Sequence, residues 1–281
     1  MRLRRVRRSG NVIDRRGRGG GKAVAGGVGG LGLVAILVVS WALGVDPRPL
    51  LDIASESAST SQPRELTSAE QDAGDFVARV LATTEDVWSQ EFPDQIGASY
   101  EVPELVLFSG TVQSQCGGAS AATGPFYCPA DQRAYLDTEF FSTLEQELGA
   151  EGDLAAAYVI AHEVGHHVQN QLGILGDVQS RQQGASQSDA NALQVRVELM
   201  ADCFSGVWAR GVDGLLEPGD IEEAINAAER IGDDYLQKRA GKAVTPHTFT
   251  HGTSEQRARW FESGYRNGEV ADCDTFGANT L

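Results

Sequence analysis

Large apolar side chains recur three or four positions apart over most of the chain beyond residue 66, which is the spacing of one face of an α-helix. The segment TSAEQDAGDFVARVLATTEDVWSQEF has this period after a Thr/Ser cap signal. Later segments repeat it: TEFFSTLEQELG, DLAAAYVIAHEVGHHVQNQLG, ALQVRVELMADCFSGVWARG, EPGDIEEAINAAERIGDDYLQKRAG and TSEQRARWFESGYRNG. The pattern predicts a mainly helical domain over residues 66–281.

Two shorter stretches, ELVLFSG and PFYCPADQRAYLD, are rich in β-branched or aromatic residues and are bounded by turn residues. They predict a small antiparallel sheet with a hairpin. The stretch from Gln179 to Asn191 is polar and rich in glutamine, which predicts a mobile loop between two helices. The expected fold class is therefore α+β, mainly helical with a small antiparallel sheet.

Residues 23–45 contain no charged side chain. At about 1.5 Å per residue, this run is long enough to cross a hydrocarbon core of roughly 30 Å as one transmembrane helix. Nine of the 22 residues before it are Lys or Arg, and Asp46 follows it. The positive-inside rule therefore predicts a cytoplasmic tail at residues 1–22 and an extracytoplasmic domain on a single-pass anchor.

A cleaved signal peptide is the alternative interpretation of the same run. It is disfavoured because the run exceeds the usual ~7–15 apolar residues and no small-x-small cleavage site follows it. Residues 46–65 are rich in Ser, Ala and acidic side chains without a hydrophobic period. They are predicted to be a linker between the membrane and the domain.

The formal net charge of −16 is unevenly distributed. Beyond residue 22 the chain holds 14 basic and 38 acidic side chains, a net charge of −24. A domain this acidic repels phosphate backbones, so no nucleic-acid partner is expected. The sequence leaves the oligomeric state open.

Four cysteines, Cys116, Cys128, Cys203 and Cys273, lie in the part of the chain predicted to be extracytoplasmic, where thiols oxidise. They allow three pairings. The 11 residues between Cys116 and Cys128 form a turn-rich stretch, which favours pairing these two and leaves Cys203 with Cys273. A structural zinc site is disfavoured because the chain lacks tight Cys-x-x-Cys pairs.

The segment AHEVGHHVQN places three histidines and a glutamate on one predicted helix. His162 and His166 are four residues apart, so they project from the same face and can bind one metal ion. Glu163 is turned about 100° away and can accept a proton from water that the metal activates. This is the HExxH arrangement, and two imidazoles suit a single Zn²⁺.

The segment VELMAD supplies two carboxylates on the next predicted helix, again four residues apart. Glu198 can complete the His₂Glu ligand set of a catalytic zinc, while Asp202 can accept a hydrogen bond from a ligand histidine and fix its tautomer. The alternative is a solvated helix face. It is disfavoured because the neighbouring residues are apolar, where an unpaired acid is costly.

These motifs, together with GPFYCPADQ and THGTSEQR, resemble a bacterial family of neutral zinc metallopeptidases, from the glycine-rich run to the C-terminus. Within that resemblance the site is similar to that of gluzincins, with HExxH on one helix and Glu-x-x-Ala-Asp on the next. The resemblance implies a zincin-like fold, in which a small sheet packs on the active-site helix and its edge strand receives an extended peptide. The hairpin near Tyr127 and Tyr135 is expected to form that sheet. The 31 residues between His166 and Glu198 exceed the spacing in thermolysin-like enzymes, so the cleft geometry does not transfer.

Five other residues have candidate or structural roles. His251 could donate a hydrogen bond to the oxyanion of a tetrahedral intermediate, or could be an ordinary loop histidine. Arg257 could brace the same site, although a surface arginine is the favoured interpretation. Tyr127 could be a second oxyanion donor, with a core aromatic favoured. His167 and His247 are predicted to be structural.

The sequence therefore predicts a membrane-anchored, extracytoplasmic peptidase with one Zn²⁺ that hydrolyses peptide or protein substrates. Glu163 is the expected general base and then acid. One alternative is a noncatalytic, zinc-stabilised binding or quality-control module, which the intact Glu163 disfavours. Another is a structural envelope protein with surface histidines, which Glu198 and Asp202 disfavour.

Overall fold

The computed structural model describes residues 1–17, 64–120 and 123–281. Residues 1–14 and 68–281 form one compact unit, and residues 15–67 form a second. The helices of the first unit are α1 (Ser68–Glu91), α2 (Glu139–Ser142), α3 (Asp153–Gln171), α4 (Ile174–Gln182), α5 (Gln187–Gly211), α6 (Asp220–Arg230), α7 (Asp233–Arg239) and α8 (Ser254–Asn267). Its strands are β1 (Val12–Asp14), β2 (Glu104–Phe108), β3 (Thr111–Ser114), β4 (Gly117–Ser120), β5 (Phe126–Cys128) and β6 (Arg133–Asp137). The α+β fold, mainly helical, is confirmed.

The predicted transmembrane helix at residues 23–45 lies outside the described residues, and so does the predicted linker as far as residue 63. Among the helices in the described ranges, none has both the length and the apolar character needed to cross a bilayer. Within the second unit, the N–H of Arg64 donates to the carbonyl of Gly17 over 2.9 Å.

The main sheet is four-stranded and mixed, in the order β1-β2-β6-β5. β1 and β6 both run parallel to β2, whereas β5 and β6 form an antiparallel hairpin. The prediction of a purely antiparallel sheet is therefore wrong. ELVLFSG pairs in parallel with the hairpin because the chain crosses over between β2 and β6, as parallel neighbours require. β3 and β4 form a separate antiparallel pair inside this crossover.

Residues 1–14, which we call the N-terminal segment, belong to the folded unit rather than to a tail outside it. Met1 and Leu3 are buried in the main hydrophobic core. β1 supplies an edge strand, with Val12 opposite Leu105. The predicted domain start at residue 66 thus missed one strand, because three strand residues among arginines show no recognisable hydrophobic period.

The helix α3 lies at the centre of the unit and packs against α1, α5 and α6. Most of its residues are buried, and the buried set includes the polar side chains of His162, Glu163 and Gln169. Gly165 on α3 faces Ala201 on α5, where a Cβ would lie 3.0 Å from the Ala201 carbonyl oxygen. The missing side chain allows the two motif-bearing helices to approach closely.

The predicted mobile loop from Gln179 to Asn191 is largely helical, and that prediction is wrong. α4 extends to Gln182, and α5 begins at Gln187 after an N-cap in which Ser186 accepts a hydrogen bond from the N–H of Asp189. Glutamine is a good helix former, and the exposed faces of these turns carry no apolar period to reveal them.

Both predicted disulfides are present, Cys116–Cys128 and Cys203–Cys273. The first joins the β3–β4 turn to the edge strand β5. The second joins α5, next to Asp202, to the C-terminal segment. Both bonds therefore fix elements that surround the predicted site.

Candidate metal centre

Three predicted ligands converge between α3 and α5. Oε2 of Glu198 lies 3.2 Å from Nε2 of His162 and 3.6 Å from Nε2 of His166. All three ligand atoms lie within 4.8 Å of one another. Metal–ligand bonds of about 2.0–2.2 Å in a tetrahedral site require similar separations. The donor set therefore fits zinc.

Hydrogen bonds fix the tautomer of both ligand histidines. Nδ1 of His162 lies 2.8 Å from Oδ1 of Asp202, and Nδ1 of His166 lies 2.9 Å from Oε1 of Gln169. Since these oxygens accept hydrogen bonds, each Nδ1 carries the donated proton, and each Nε2 is left able to bind a metal ion through its lone pair. Asp202 occupies the position predicted for it.

The sequence analysis missed Gln169. Its side chain is fully buried, and its amide Nε2 donates to the carbonyl of Val197 over 2.6 Å while its oxygen accepts from His166. One glutamine thus links the second ligand of α3 to the backbone of α5, one residue before Glu198. Its only sequence signal was its position three residues after His166 on the same helix.

A buried polar network supports Asp202. Arg257 donates to both of its carboxylate oxygens at 2.9 Å, and Tyr158 donates its O–H to Oδ1 at 2.5 Å. Burial would raise the pKa of Asp202, but the charge of Arg257 outweighs it and lowers that pKa. Arg257 is only 2% exposed, so the favoured interpretation of a surface arginine is wrong. The role of Tyr158 was not predicted.

Glu163 lies beside the ligand cluster without belonging to it. The residue is 8% exposed, and its Oε2 has no hydrogen-bond donor among the described residues. Burial raises the pKa of Glu163. A buried carboxylate oxygen with a free lone pair beside a metal site is suited to accept a proton from water there.

The charges of the surrounding carboxylates favour a cation between the three predicted ligands. Burial would raise the pKa of Glu198, but the charge of His166 and the hydrogen bonds of both histidines hold it well below its usual range. Burial would lower the pKa of His162, but Asp202 and then Glu198 outweigh it and raise the pKa to about 9. The carboxylates therefore favour positive charge between the ligands, and a bound metal ion would replace the proton.

The three ligands and Glu163 face a cleft of about 1040 Å³. Its walls are contributed by β5, by α4 and by the segment around α7, and include Phe126, Tyr127, Phe140, Val178, Leu236 and His251. β5 is the last strand of the sheet, so its outer edge has no partner strand in the described part of the chain. The site thus opens beside a free strand edge.

The exposed side chain of His251 lines this cleft. Asp233 holds its loop: Oδ2 accepts hydrogen bonds from the backbone N–H groups of Thr250, His251 and Gly252 over 2.6–3.0 Å. Oδ1 of the same carboxylate lies 3.4 Å from Nδ1 of His251. The oxyanion role of His251 stays a prediction, and Asp233 is an orienting partner that the sequence did not indicate.

The remaining candidates lie outside the ligand cluster. His167 is buried, and its Nε2 donates to the carbonyl of Glu101 at 2.6 Å, so its Nδ1 accepts the O–H of Tyr127 at 3.0 Å. Burial raises the pKa of Tyr127 to about 12. The phenol stays neutral with its proton engaged by His167. His247 is exposed, and its carbonyl accepts a hydrogen bond from Asn191.

Residues 1–276 match the model of a family described as "Putative neutral zinc metallopeptidase". The chain is 46% identical over 286 residues to the uncharacterized protein YpfJ of Escherichia coli (strain K12), covering 99% of both chains. It is 43% identical over 264 residues to the uncharacterized protein Rv2575 of Mycobacterium tuberculosis (strain ATCC 25618 / H37Rv), covering 85% of both. No solved structure matches it.

Proposed function

Because the chain belongs to this neutral zinc metallopeptidase family, we propose that it hydrolyses peptide bonds with one zinc ion as cofactor. The observation that carries the proposal is the convergence of His162, His166 and Glu198 beside Glu163, whose buried Oε2 has no donor among the described residues. A purely structural metal site needs no proton acceptor, so it does not explain a carboxylate oxygen without a hydrogen-bond donor that faces a cleft.

Each residue of the site then has a defined task. His162, His166 and Glu198 hold the ion, and Asp202 and Gln169 keep both imidazoles in the tautomer that binds it. Bound zinc would supply a Lewis acid for the peptide carbonyl and would lower the pKa of water. Glu163 accepts a proton from the attacking water at Oε2 and then donates it to the nitrogen of the leaving amine.

The shape of the cleft supports an extended peptide as the substrate. An extended peptide can add to the outer edge of β5 through its backbone and so pass the ligand cluster. Phe126, Val178 and Leu236 line the same cleft and offer apolar contacts to its side chains. His251, oriented by Asp233, is the proposed donor to the oxyanion.

We also propose that the catalytic unit works outside the cytoplasm and in contact with a membrane. The two disulfides support an oxidising compartment. The uncharged run at residues 23–45 supports the membrane contact. The partners proposed are thus a lipid bilayer and a peptide or protein substrate.

The test compares the purified full-length protein with Glu163→Gln and with a matched control, Glu145→Gln, which makes the same change at an exposed position. We expect one zinc per chain in all three. Cleavage of an unstructured protein should fall at least about 100-fold in Glu163→Gln alone.

Two results would contradict the proposal in different ways. Zinc bound without any Glu163-dependent cleavage would leave the zinc-stabilised binding module as the better interpretation. A folded protein that binds no zinc would overturn the metal site itself.

A further inference from the structure

The N-terminal segment is integrated into the catalytic unit by its backbone. Over its whole length β1 pairs in parallel with β2, in register from Val12 opposite Leu105 to Asp14 opposite Leu107. Before it, the N–H of Ser9 donates to the carbonyl of Ala78 on α1 over 2.9 Å. These bonds are part of the sheet and helix framework that carries the site.

The arginines of the segment also form ion pairs with acidic side chains of α1. The guanidinium of Arg7 lies 2.8 Å from Oε2 of Glu85 and 2.6 Å from Oδ1 of Asp86. Arg8 forms an ion pair with Asp75. Glu85 is buried, and the N-terminal segment supplies its cationic partner.

Ser9 and Asn11 complete the surroundings of the same carboxylate. The hydroxyl of Ser9 and the side-chain amide of Asn11 donate to Oε1 of Glu85 at 2.5 and 2.7 Å. Residues 7–11 therefore supply both hydrogen bonds and an ion pair to the buried carboxylate of Glu85 on α1. These contacts join the segment to the catalytic unit through side chains as well as backbone.

Two strands that share a ladder of hydrogen bonds lie on the same side of a lipid bilayer. We propose that the N-terminal segment and the catalytic site occupy the same side of the membrane. The observations that carry this inference are the pairing of β1 with β2 and the contacts of residues 7–11 with α1.

This arrangement differs from the single-pass orientation that the charge bias predicts. The positive-inside rule counts Lys and Arg in flanking loops. Arg7 and Arg8 are instead paired with acids of α1, and Arg2 donates its guanidinium hydrogens to the carbonyls of Gly214 and Leu216. Arginines bound into a fold are a poor guide to the side on which a loop lies.

The first test labels single cysteines in intact cells with a membrane-impermeant maleimide. Arg4→Cys reports on the N-terminal segment and Lys242→Cys on the catalytic unit, since both positions are exposed and the native cysteines are disulfide-bonded. Labelling after detergent solubilisation gives the full signal for each variant. We expect both sites to be labelled to the same fraction in intact cells.

The possible outcomes separate the two proposals. Protection of both sites would support the common side but would overturn the extracytoplasmic placement proposed above. Labelling of Lys242→Cys together with protection of Arg4→Cys would overturn the inference and restore a single-pass anchor.

A second measurement does not depend on chemical access. In the full-length protein, Arg7→Ala should lower the thermal midpoint of the catalytic unit by roughly 2–4 °C, because Glu85 loses its cationic partner. Arg4→Ala should leave the midpoint unchanged, since the Arg4 side chain is exposed. Equal midpoints for the two variants would show that residues 1–14 do not dock, and the inference would fail.

Discussion

The two ligand imidazoles are oriented by partners of different charge. His162 donates to the ionised carboxylate of Asp202, whereas His166 donates to the neutral amide of Gln169. A carboxylate makes the ligand nitrogen more basic, while an amide mainly fixes the ring. At the scale of single residues, Gln169 is therefore a positioning residue whose effect passes through His166.

Replacing Gln169 by methionine should weaken zinc binding about 10- to 100-fold. Methionine keeps the approximate volume but removes the acceptor, so the partly buried Nδ1–H of His166 loses its hydrogen bond and the ring can turn. Competition with a metal chelator measures the affinity. Gln179→Met, at an exposed position that also lines the cleft, is the matched control, and equal affinities in the two variants would refute the assignment.

The residues that could be predicted are those whose spacing along a helix fixes their geometry. His162 with His166, and Glu198 with Asp202, share a helix face four residues apart, so placing the helices side by side brings them together. Tyr158 and Arg257 could not be found this way. Arg257 reaches Asp202 from α8, 55 residues further along, and only tertiary packing decides whether such an arginine is buried.

At the scale of elements, α5 and α8 are held close by glycines at their contact. A Cβ on Gly264 would lie 2.0 Å from the carbonyl oxygen of Cys203, and one on Gly206 would lie 2.1 Å from that of Phe261. Such distances are well below van der Waals contact. This close packing sets the distance across which Arg257 on α8 reaches Asp202 on α5.

Gly264→Ala should destabilise the protein by about 1–3 kcal/mol, even though alanine is the better helix former. The added methyl group must push the two helices apart against backbone atoms that cannot rotate away. Chemical denaturation measures the free energy of unfolding. Gly214→Ala serves as the control because a Cβ there meets no atom within 4 Å, and a loss of stability as large in that variant would contradict the packing argument.

Elements with a continuous apolar face were predicted, and those formed by tertiary contacts were not. The segment EPGDIEEAINAAERIGDDYLQKRAG forms two helices, α6 and α7, that separate at Gly232, where a Cβ would lie 2.4 Å from the backbone nitrogen of Ser254. The strand β1 also depends on tertiary contacts, because its partner β2 lies about 90 residues later. The residues around β1 therefore carry no local sequence signal that predicts a strand.

At the scale of the whole molecule, the α-ammonium of Met1 joins distant parts of the chain. Its nitrogen lies 2.8 Å from Asp153 at the start of α3, 3.2 Å from Asp220 at the start of α6, and 3.3 Å from Glu217. Burial would lower the pKa of this ammonium, but its hydrogen bonds to Asp153 and Asp220 outweigh burial and raise the pKa from 8.0 to about 10.

This ion pair predicts a specific loss of stability in alkali. A group whose pKa is raised on folding stabilises fully below its unfolded pKa and loses that effect as pH rises through the folded pKa. The contribution should therefore be present below about pH 8 and vanish above about pH 10. Thermal midpoints of the native protein and of Asp220→Asn, recorded from pH 7 to 10.5, should differ at neutral pH and converge in alkali. A constant difference across this range would exclude the ammonium as the cause.

The same contact also determines when the fold can be completed during synthesis. The segment that carries Met1 leaves the ribosome before its partners, because Asp153 and Glu217 follow 152 and 216 residues later. At about 5–20 residues per second, the interval before Glu217 is made is on the order of 10 to 40 s. During that time the arginines and apolar side chains of the segment have no complete docking site. Residues 1–14 are therefore synthesised well before they can reach their native positions.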